Sequence, residues 1–465
     1  MPRRAFSFKL LALSFWLTAN CQPPSPAEKA VHAEEVEVDQ GGHERRASEG
    51  HPGCRREPAP IPIGYDTAVG TLEEEVLILS EDRTDGRRFN SATDAEILNA
   101  DVADSYFHRT MQILRARGLA DTPVHAEIAY KTSDPEAWFV VAGLDEVAFL
   151  FDGIDVGVRA VPEGTICRPH EPILTLSGPY GAFAEHETAL LGLLCQASGV
   201  ATGAARCRLA AGEKPVVSFG ARRMHPAVTP MIERAAYLGG CDMVAVDLIV
   251  GRLGIPATGT TPHALVLLLG STEEAARAFD EVVEPGVPRT IIIDTFDDEK
   301  FGALIAARAI PDSIYAIRMD TPGNRRGDFL DLMREVRWEL DRNGFEHVKI
   351  FGSGGIDVDY ILHLNPVCDA YGVGGAIADA PMVDYSMDIV EVGGEDRSKR
   401  GKRGGRKRLL KLRDGTRAVL PASTPAPEGA TDALVPLGQM YSPPPAMDTL
   451  RQRVLDQLDT GDFAL

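Results

Sequence analysis

The chain has few cysteines and pairs none of them by spacing: seven in 465 residues, at positions 21, 54, 167, 195, 207, 241 and 368, with no CxxC. An odd number without close pairs offers neither a disulfide framework nor a thiolate zinc site. Reduced thiols buried as small hydrophobes are expected instead. Positive charge is also short, with 48 Lys and Arg against 68 Asp and Glu and a formal net charge of −20. Such a surface repels nucleic acid and anionic membrane, so neither is expected as a partner. An anionic small substrate would need a local basic pocket. Near the N-terminus the apolar run Leu10 to Leu17 is too short to span a bilayer.

What is present begins with an unusual leader. Arg3, Arg4 and Lys9 precede that run, and Thr18-Ala19-Asn20-Cys21 follows it, the outline of an export signal with a lipoprotein-like cysteine. Low hydrophobicity and many Pro, Gly, Glu and Arg then continue to about Ala92, a composition that buries too little surface to fold. One reading is a true signal with a linker, leaving export or lipid anchoring open. The other, preferred because the remainder looks cytoplasmic, is upstream sequence translated from a wrongly chosen start. On that reading a chain lacking Met1 to Arg83 stays soluble and active. The expected organisation is an extension over 1–88, an α+β sandwich domain over 89–200, a catalytic α/β barrel over 201–390, and a basic segment with a C-terminal tail over 391–465.

From Thr93 the texture changes. Thr93-Asp94-Ala95-Glu96 is a capping-box-like start, and a helical pattern runs on through Leu119. Short strand-like runs follow around 124–131, 137–143, 156–160 and 172–177, then an apolar helix from Glu185 ending at Gly199. Next come seven buried-strand candidates: Val216–Phe219, Met243–Val246, Ala257–Gly259, Thr290–Ile293, Ile314–Ile317, Val348–Phe351 and Ala370–Val373. Helical segments Pro230–Leu238, His263–Leu269, Glu299–Ala309, Asp328–Asp341 and Asp357–Leu364 lie between them. This alternation implies a parallel sheet with right-handed crossovers, and seven strands in series favour an irregular barrel. Beyond Glu391 come the basic run Lys399–Arg408, a strand-like Leu409–Leu412 and an amphipathic helix near Met447–Leu458.

The strand ends carry the chemistry. They terminate in Arg222-Arg223-Met224-His225, Asp247, Thr260-Thr261-Pro262-His263, Asp294-Thr295, Arg318-Met319-Asp320-Thr321, Ser353-Gly354-Gly355 and Gly374-Gly375. Barrel active sites form where the carboxyl ends of several strands converge. One such end is an ordinary loop; six or seven in register point to a site. Ser353-Gly354-Gly355 and Gly374-Gly375 close adjacent late strands, where backbone N–H groups without a Cβ in the way can cradle a phosphate. Arg222 and Arg223 suit carboxylate or phosphate, with a solvated loop as the bland alternative. Asp294 and Asp320 suit sugar hydroxyls or a metal-bound water, with helix capping as the alternative for Asp294. His263 is a candidate acid, base or nucleophile.

The stretches SFGARRMHPAVTPMIERAAYLGGCD, GTTPHAL, IIIDTFDDEKFGA, IRMDTPGNRRGDF, FGSGGID, AYGVGGAI and DIVEVGGEDRSKRGKRGGRK closely resemble the archaeal-type nicotinate phosphoribosyltransferases. FNSATDAEILNADVADSYFHRT and GLLCQASGVAT resemble the same family's N-terminal domain, so the likeness covers about Phe89 to Lys407. It implies a type II phosphoribosyltransferase fold, an α+β sandwich followed by an irregular α/β barrel, in a homo-oligomer with shared active sites. The implied reaction joins nicotinate to phosphoribosyl pyrophosphate, coupled to ATP and assisted by Mg²⁺. The implied roles place Ser353, Gly354, Gly355, Gly374 and Gly375 on the 5′-phosphate, Asp320 by the ribose hydroxyls, and Arg222 and Arg223 by nicotinate or phosphate. Thr260, His225, Arg318 and Asp294 complete the expected site. Tyr106 resembles an aromatic brought from a neighbouring subunit to stack on the pyridine, and His263 matches a histidine that ATP phosphorylates. The basic run Lys399–Arg408 is expected near the phosphate side of the site.

Three departures stand out. No cysteine follows Cys368, whereas such proteins often carry a C-terminal four-cysteine zinc module, so no bound zinc is expected. CDMVAVD, Cys241 to Asp247, replaces a more glycine-rich stretch, and GVGG stands where GVGT is expected. The alternatives are a quinolinate or nicotinamide phosphoribosyltransferase, the first needing more cationic groups for a second carboxylate. Another is a non-catalytic phosphoribosyl-binding relative.

Overall fold

The computed structural model describes residues 89–257, 259–461 and 463–465; the signal-like segment, the odd leader composition and Cys21 and Cys54 lie outside them. Thr93 forms the expected capping box, its side chain accepting from the Glu96 N–H while Glu96 accepts the Thr93 N–H at 2.8 Å. The helix it starts is short, Asp94–Leu98, and a second runs Ser105–Ala116. The single helical pattern breaks because Ala100 adopts a left-handed φ of 62° and Asp104 is tied to Thr188, whose hydroxyl accepts its N–H at 3.1 Å.

The first layer is a six-stranded sheet drawn from both ends of the described chain. Pro123–Tyr130 pairs antiparallel with Leu174–Pro179 on one side and Tyr385–Val392 on the other. Gly157–Ala160 lies beyond Leu174–Pro179 and pairs in turn with Val435–Pro436. Apolar side chains of these strands pack against Leu190 and Leu194 of a long helix, Glu187–Ala211. That helix does not stop at Gly199. A Cβ on Gly199 would stand 2.7 Å from the Pro381 carbonyl, and one on Gly203 would stand 2.7 Å from the Ala380 Cβ. These glycines let another segment lie against the helix; neither ends it. The helix is apolar enough to cross a membrane, yet 67% of its most apolar stretch is buried between the layers, as a core helix is.

The second layer is the barrel. Five strands run parallel in the order Val216–Ser218, Ala370–Val373, Lys349–Gly352, Ile314–Met319 and Arg289–Ile292. The other two expected strands, Met243–Val246 and Ala257–Gly259, form no ladder among the described residues. Single bridges join Val217 to Met243 and Val244 to Ala257, and the Thr261 N–H reaches the Thr290 carbonyl at 3.2 Å. The ring therefore closes, irregularly. Pro256 and Pro262 flank the second of these segments and have no N–H to donate to a ladder. Outside the ring, His263–Leu269 and Glu299–Ala309 are helices with the expected bounds, while Asp328 and Asp357 prove to be side-chain N-caps of the two helices that follow them.

A three-stranded antiparallel sheet, Arg417–Pro421, Lys407–Lys411 and Thr431–Asp432, follows the basic run. The final helix Met447–Thr460 buries Leu450, Val454 and Leu458 in the barrel core. Sandwich, barrel and tail meet at Glu163, which is fully buried. Both its oxygens accept from Arg234 at 2.9 Å, the Gly143 N–H reaches it at 2.8 Å and the Tyr441 hydroxyl at 2.5 Å. Burial alone would raise the Glu163 carboxyl, but Arg234 and these hydrogen bonds outweigh it and hold it below the usual range.

Candidate active site

Each barrel strand ends in a residue that touches the end of a neighbour. Past Arg289–Ile292, Asp294 turns its carboxylate sideways: Oδ2 accepts the Asp320 N–H at 2.8 Å and the Thr321 hydroxyl at 3.0 Å. Its other oxygen is buried with no partner among the described residues, 3.9 Å from His263 Nε2. Burial raises the Asp294 carboxyl, against the pull of the Asp320 N–H and Thr321. Past Ile314–Met319, Asp320 accepts from the Ser353 hydroxyl at 2.9 Å through Oδ1. Its Oδ2 lies 3.6 Å from His263 Nε2 and 3.8 Å from Arg318 Nη1.

His263 therefore has a hydroxyl on one side, Thr295 Oγ1 at 2.9 Å from Nδ1, and two carboxylates on the other. It remains 40% exposed, open to a ligand. The Thr295 hydroxyl orients the ring, leaving Nε2 facing the two carboxylates and the open side of the site.

Arg318 is buried at the same level, donating to Ser353 Oγ at 3.3 Å and the Thr261 carbonyl at 3.1 Å, with its guanidinium 5.8 Å from the Phe219 ring centroid. Burial lowers its pKa, the carboxylates of Asp320 and Asp294 oppose this, and Arg222 adds to the lowering, so the two arginines share one electrostatic neighbourhood. Arg318 and Arg222 thus bring positive charge to these strand ends in an otherwise acidic protein. Gly354 and Gly355 have φ of +84° and +74°, and neither N–H has an acceptor among the described residues. Successive free N–H donors in such a turn are the kind of arrangement that can receive an anion. Gly374 and Gly375 open the short turn Gly375–Ala378 at the next strand end.

The other expected residues lie at the edge of this cluster or beyond it. Arg222 and Arg223 are exposed on the turn Ala221–Arg223 after the first barrel strand. His225 accepts the Ala227 N–H at 3.2 Å and so caps the next turn. The Thr260 hydroxyl is buried without a partner among the described residues. Tyr106 belongs to the sandwich, 57% exposed, its ring 4.3 Å from Phe107, beside Asp104 and Glu187. The basic run lies on the sandwich too: Lys407 pairs with Glu127 at 2.8 Å, Arg406 with Glu391, and Lys402 with Asp388 at 3.2 Å. Glu187, raised to about 7 by burial and Asp388 and opposed by Lys399, links Tyr106 to that run. A cavity of about 320 Å³ lies beside it, lined by Lys131, His170, Lys402 and Arg403. A larger one, about 1030 Å³, lies between the tail sheet and the helix Met447–Thr460, away from the strand ends.

Sequence reasoning gave no individual role to Phe219, Arg326 or the two strand-end threonines, Thr295 and Thr321. Thr295 and Thr321 directly follow Asp294 and Asp320, and that hydroxyl after each of these two aspartates was the signal available.

Models of the quinolinate phosphoribosyl transferase N-terminal and C-terminal domains match residues 104–198 and 200–388. A crystal structure of nicotinate-nucleotide pyrophosphorylase from Pyrococcus furiosus is 44% identical, covers 80% of this chain and 98% of that one, with a TM-score of 0.77. Human nicotinic acid phosphoribosyltransferase, 21% identical with a TM-score of 0.62 over 77% of this chain and 93% of that one, shares the fold. Among curated proteins, nicotinate phosphoribosyltransferase pncB1 of Mycobacterium tuberculosis is 34% identical over 272 residues, 55% of this chain and 59% of that protein. The nicotinate phosphoribosyltransferase of Bacillus subtilis is 30% identical over 230 residues, 48% of this chain and 45% of that protein. The chain thus spans less than two thirds of the length of these curated relatives.

Proposed function

The chain belongs to the quinolinate phosphoribosyl transferase family of type II phosphoribosyltransferases, and on that premise we propose that it joins nicotinate to phosphoribosyl pyrophosphate in NAD salvage. The observation that carries the reading is the convergence at adjacent strand ends of free glycine N–H groups, Asp320 and buried Arg318. The choice of nicotinate rests on the curated relatives, which bear that name.

In this reading the Gly354–Gly355 turn and the Gly374–Gly375 turn hold the 5′-phosphate, and Asp320, oriented by Ser353, takes the ribose hydroxyls. Arg222 and Arg223 receive the pyridine carboxylate or a phosphate. The pyridine nitrogen carries its own lone pair, so no general base is required. Its bond to C1 forms as the C1–oxygen bond to pyrophosphate breaks, and positive charge builds on the ribose while negative charge leaves. Fixed Asp320 and Asp294 suit the first, and Arg318 with Arg222 suits the second. Holding nitrogen and C1 in line removes the cost of an encounter. A Mg²⁺ arriving with the phosphates would need only one or two carboxylates, and the unpartnered Asp294 oxygen with Asp320 supplies them. When bound, that ion offsets phosphate charge.

His263 is the proposed acceptor for ATP coupling. A ring nitrogen lone pair attacks the γ-phosphorus, the bond to ADP breaks, and the phosphoryl group stays on the ring. Tyr106 and the basic run share one sandwich surface, which supports a second copy presenting them to this site in a homo-oligomer.

A second reading, quinolinate as substrate, is favoured by the family's own name and is separable by its CO₂ release. Incubation with phosphoribosyl pyrophosphate and nicotinate, with and without ATP, should yield nicotinate mononucleotide and one pyrophosphate per nucleotide, faster with ATP. No nucleotide under either condition would remove the reading.

A further inference from the structure

The turn that offers its N–H groups is built from two left-handed glycines, the most conformationally permissive pair a chain can have. Something must stop the Gly354–Gly355 peptide from rotating, because in a planar peptide the carbonyl and the following N–H point in opposite directions. A flipped peptide would put a carbonyl oxygen where an anion should sit. On the inner side Ser353 is fixed: its N–H donates to the Met319 carbonyl at 2.9 Å and its hydroxyl to Asp320 at 2.9 Å. On the other side the Gly354 carbonyl accepts from Arg326 Nη1 at 2.9 Å, and the same nitrogen reaches the Thr321 carbonyl at 3.2 Å.

Arg326 is itself held. Its guanidinium carbon lies 4.4 Å from the Phe329 ring centroid and 4.8 Å from that of Tyr360. Phe329 is fully buried at the start of the helix Phe329–Arg342, and Tyr360 sits on the helix Val358–Leu364 after the next strand. The arginine thus bridges two successive strand–helix units, and its two acceptors belong to the loops carrying Asp320 and the glycine pair.

We propose that Arg326 is a positioning residue for phosphate recognition: by holding the Gly354 carbonyl outward it points the Gly355 N–H toward the anion and locks the glycine turn to the Asp320 loop. It acts through the backbone and touches no substrate. A planar cation resting on two rings does this where lysine, a point charge on a flexible stem, does it less well. The inference rests on the phosphoribosyl-transfer reading for the identity of the anion.

The test compares Arg326→Gln and Arg326→Lys with the unaltered protein in two measurements. One is calorimetric binding of phosphoribosyl pyrophosphate without a pyridine; the other is steady-state kinetics with nicotinate. Loss of a charge-assisted hydrogen bond that sets the turn should weaken phosphoribosyl pyrophosphate binding and raise its KM by about tenfold or more in Arg326→Gln. The KM for nicotinate should stay within about twofold, and Arg326→Lys should fall between. Equal binding in all three proteins would overturn the proposal. So would parallel losses for both substrates that track a fall in thermal midpoint, the mark of a purely structural residue. If Arg326→Gln does not fold, Arg326→Lys alone decides by the same ratio of the two KM values. Binding without turnover in the unaltered protein would count against nicotinate transfer while leaving the role of Arg326 to the binding data.

Discussion

Gly354 offers a perturbation whose size can be worked out from its surroundings. Gly354→Ala places a Cβ in a backbone with φ of +84°, 2.9 Å from Asp320 Oδ1 and 3.2 Å from the Asp320 carbonyl. Left-handed backbone costs a residue with a Cβ about 1–2 kcal/mol, and stiffening the unfolded chain returns about 0.4–1 kcal/mol. The net loss of stability is therefore about 1 kcal/mol, a fall in thermal midpoint of only about 1 °C in a chain of this length. Gly344 is the control: its φ is +82° and nothing lies within 4 Å of the added Cβ. Gly344→Ala carries the same strain far from any strand-end residue named above. What differs is Asp320, which must retreat by about half an ångström to reach ordinary contact near 3.4 Å. Displacement of that order in a positioned group costs up to about 10²-fold in rate, equivalent to about 2.7 kcal/mol in the barrier. Thermal melts of both variants should therefore agree, while kcat/KM for phosphoribosyl pyrophosphate should fall by about 10²-fold in Gly354→Ala and by less than about twofold in Gly344→Ala. Equal activity in the two variants would refute the placement of Asp320 against the glycine turn.

His263→Ala should abolish ATP stimulation and transfer of label from γ-labelled ATP, while slow ATP-independent synthesis persists; equal labelling of both proteins would end the phosphohistidine proposal. Glu163→Gln should cost about 3 kcal/mol at neutral pH, because it breaks a buried pair and leaves Arg234 with Asp145 at 2.9 Å. The Glu163 carboxyl is held below its unfolded value, so its contribution is full above that value and is lost as pH falls through the folded one. Urea unfolding should show the gap between wild type and variant closing below about pH 4.3, and a gap independent of pH would contradict the assignment. Mixed oligomers of Tyr106→Ala and His263→Ala chains should recover ATP-stimulated activity if one copy's Tyr106 serves another's site, and should recover none if Tyr106 acts within its own chain.

The strand ends were legible because short apolar runs terminate abruptly in charged, hydroxyl or glycine residues, and a parallel barrel brings such ends together whatever the details. The contacts among them were not: Ser353 reaching Asp320, or Thr321 reaching Asp294, depends on the register of neighbouring strands, which local pattern does not encode. Two strands were overcalled: among the described residues Met243–Val246 and Ala257–Gly259 make only isolated bridges, and Pro256 and Pro262 beside the second supply no N–H to a ladder. Gly199 looked like a helix stop and is a contact glycine inside the helix Glu187–Ala211. The return of Tyr385–Val392 to the first sheet was also hidden, since partner choice across more than two hundred residues leaves no periodic trace. His225 drew attention by its place in an Arg-rich turn, and the geometry uses it as a cap.

The central claim is tested most directly by comparing kcat/KM for nicotinate, nicotinamide and quinolinate at saturating phosphoribosyl pyrophosphate and ATP, with the nucleotide product identified and CO₂ followed. A site that pairs a single pyridine carboxylate with Arg222 and Arg223 predicts nicotinate ahead of both others by at least about tenfold, nicotinate mononucleotide as product, and no CO₂. Quinolinate turned over preferentially, with one CO₂ per nucleotide, would contradict it.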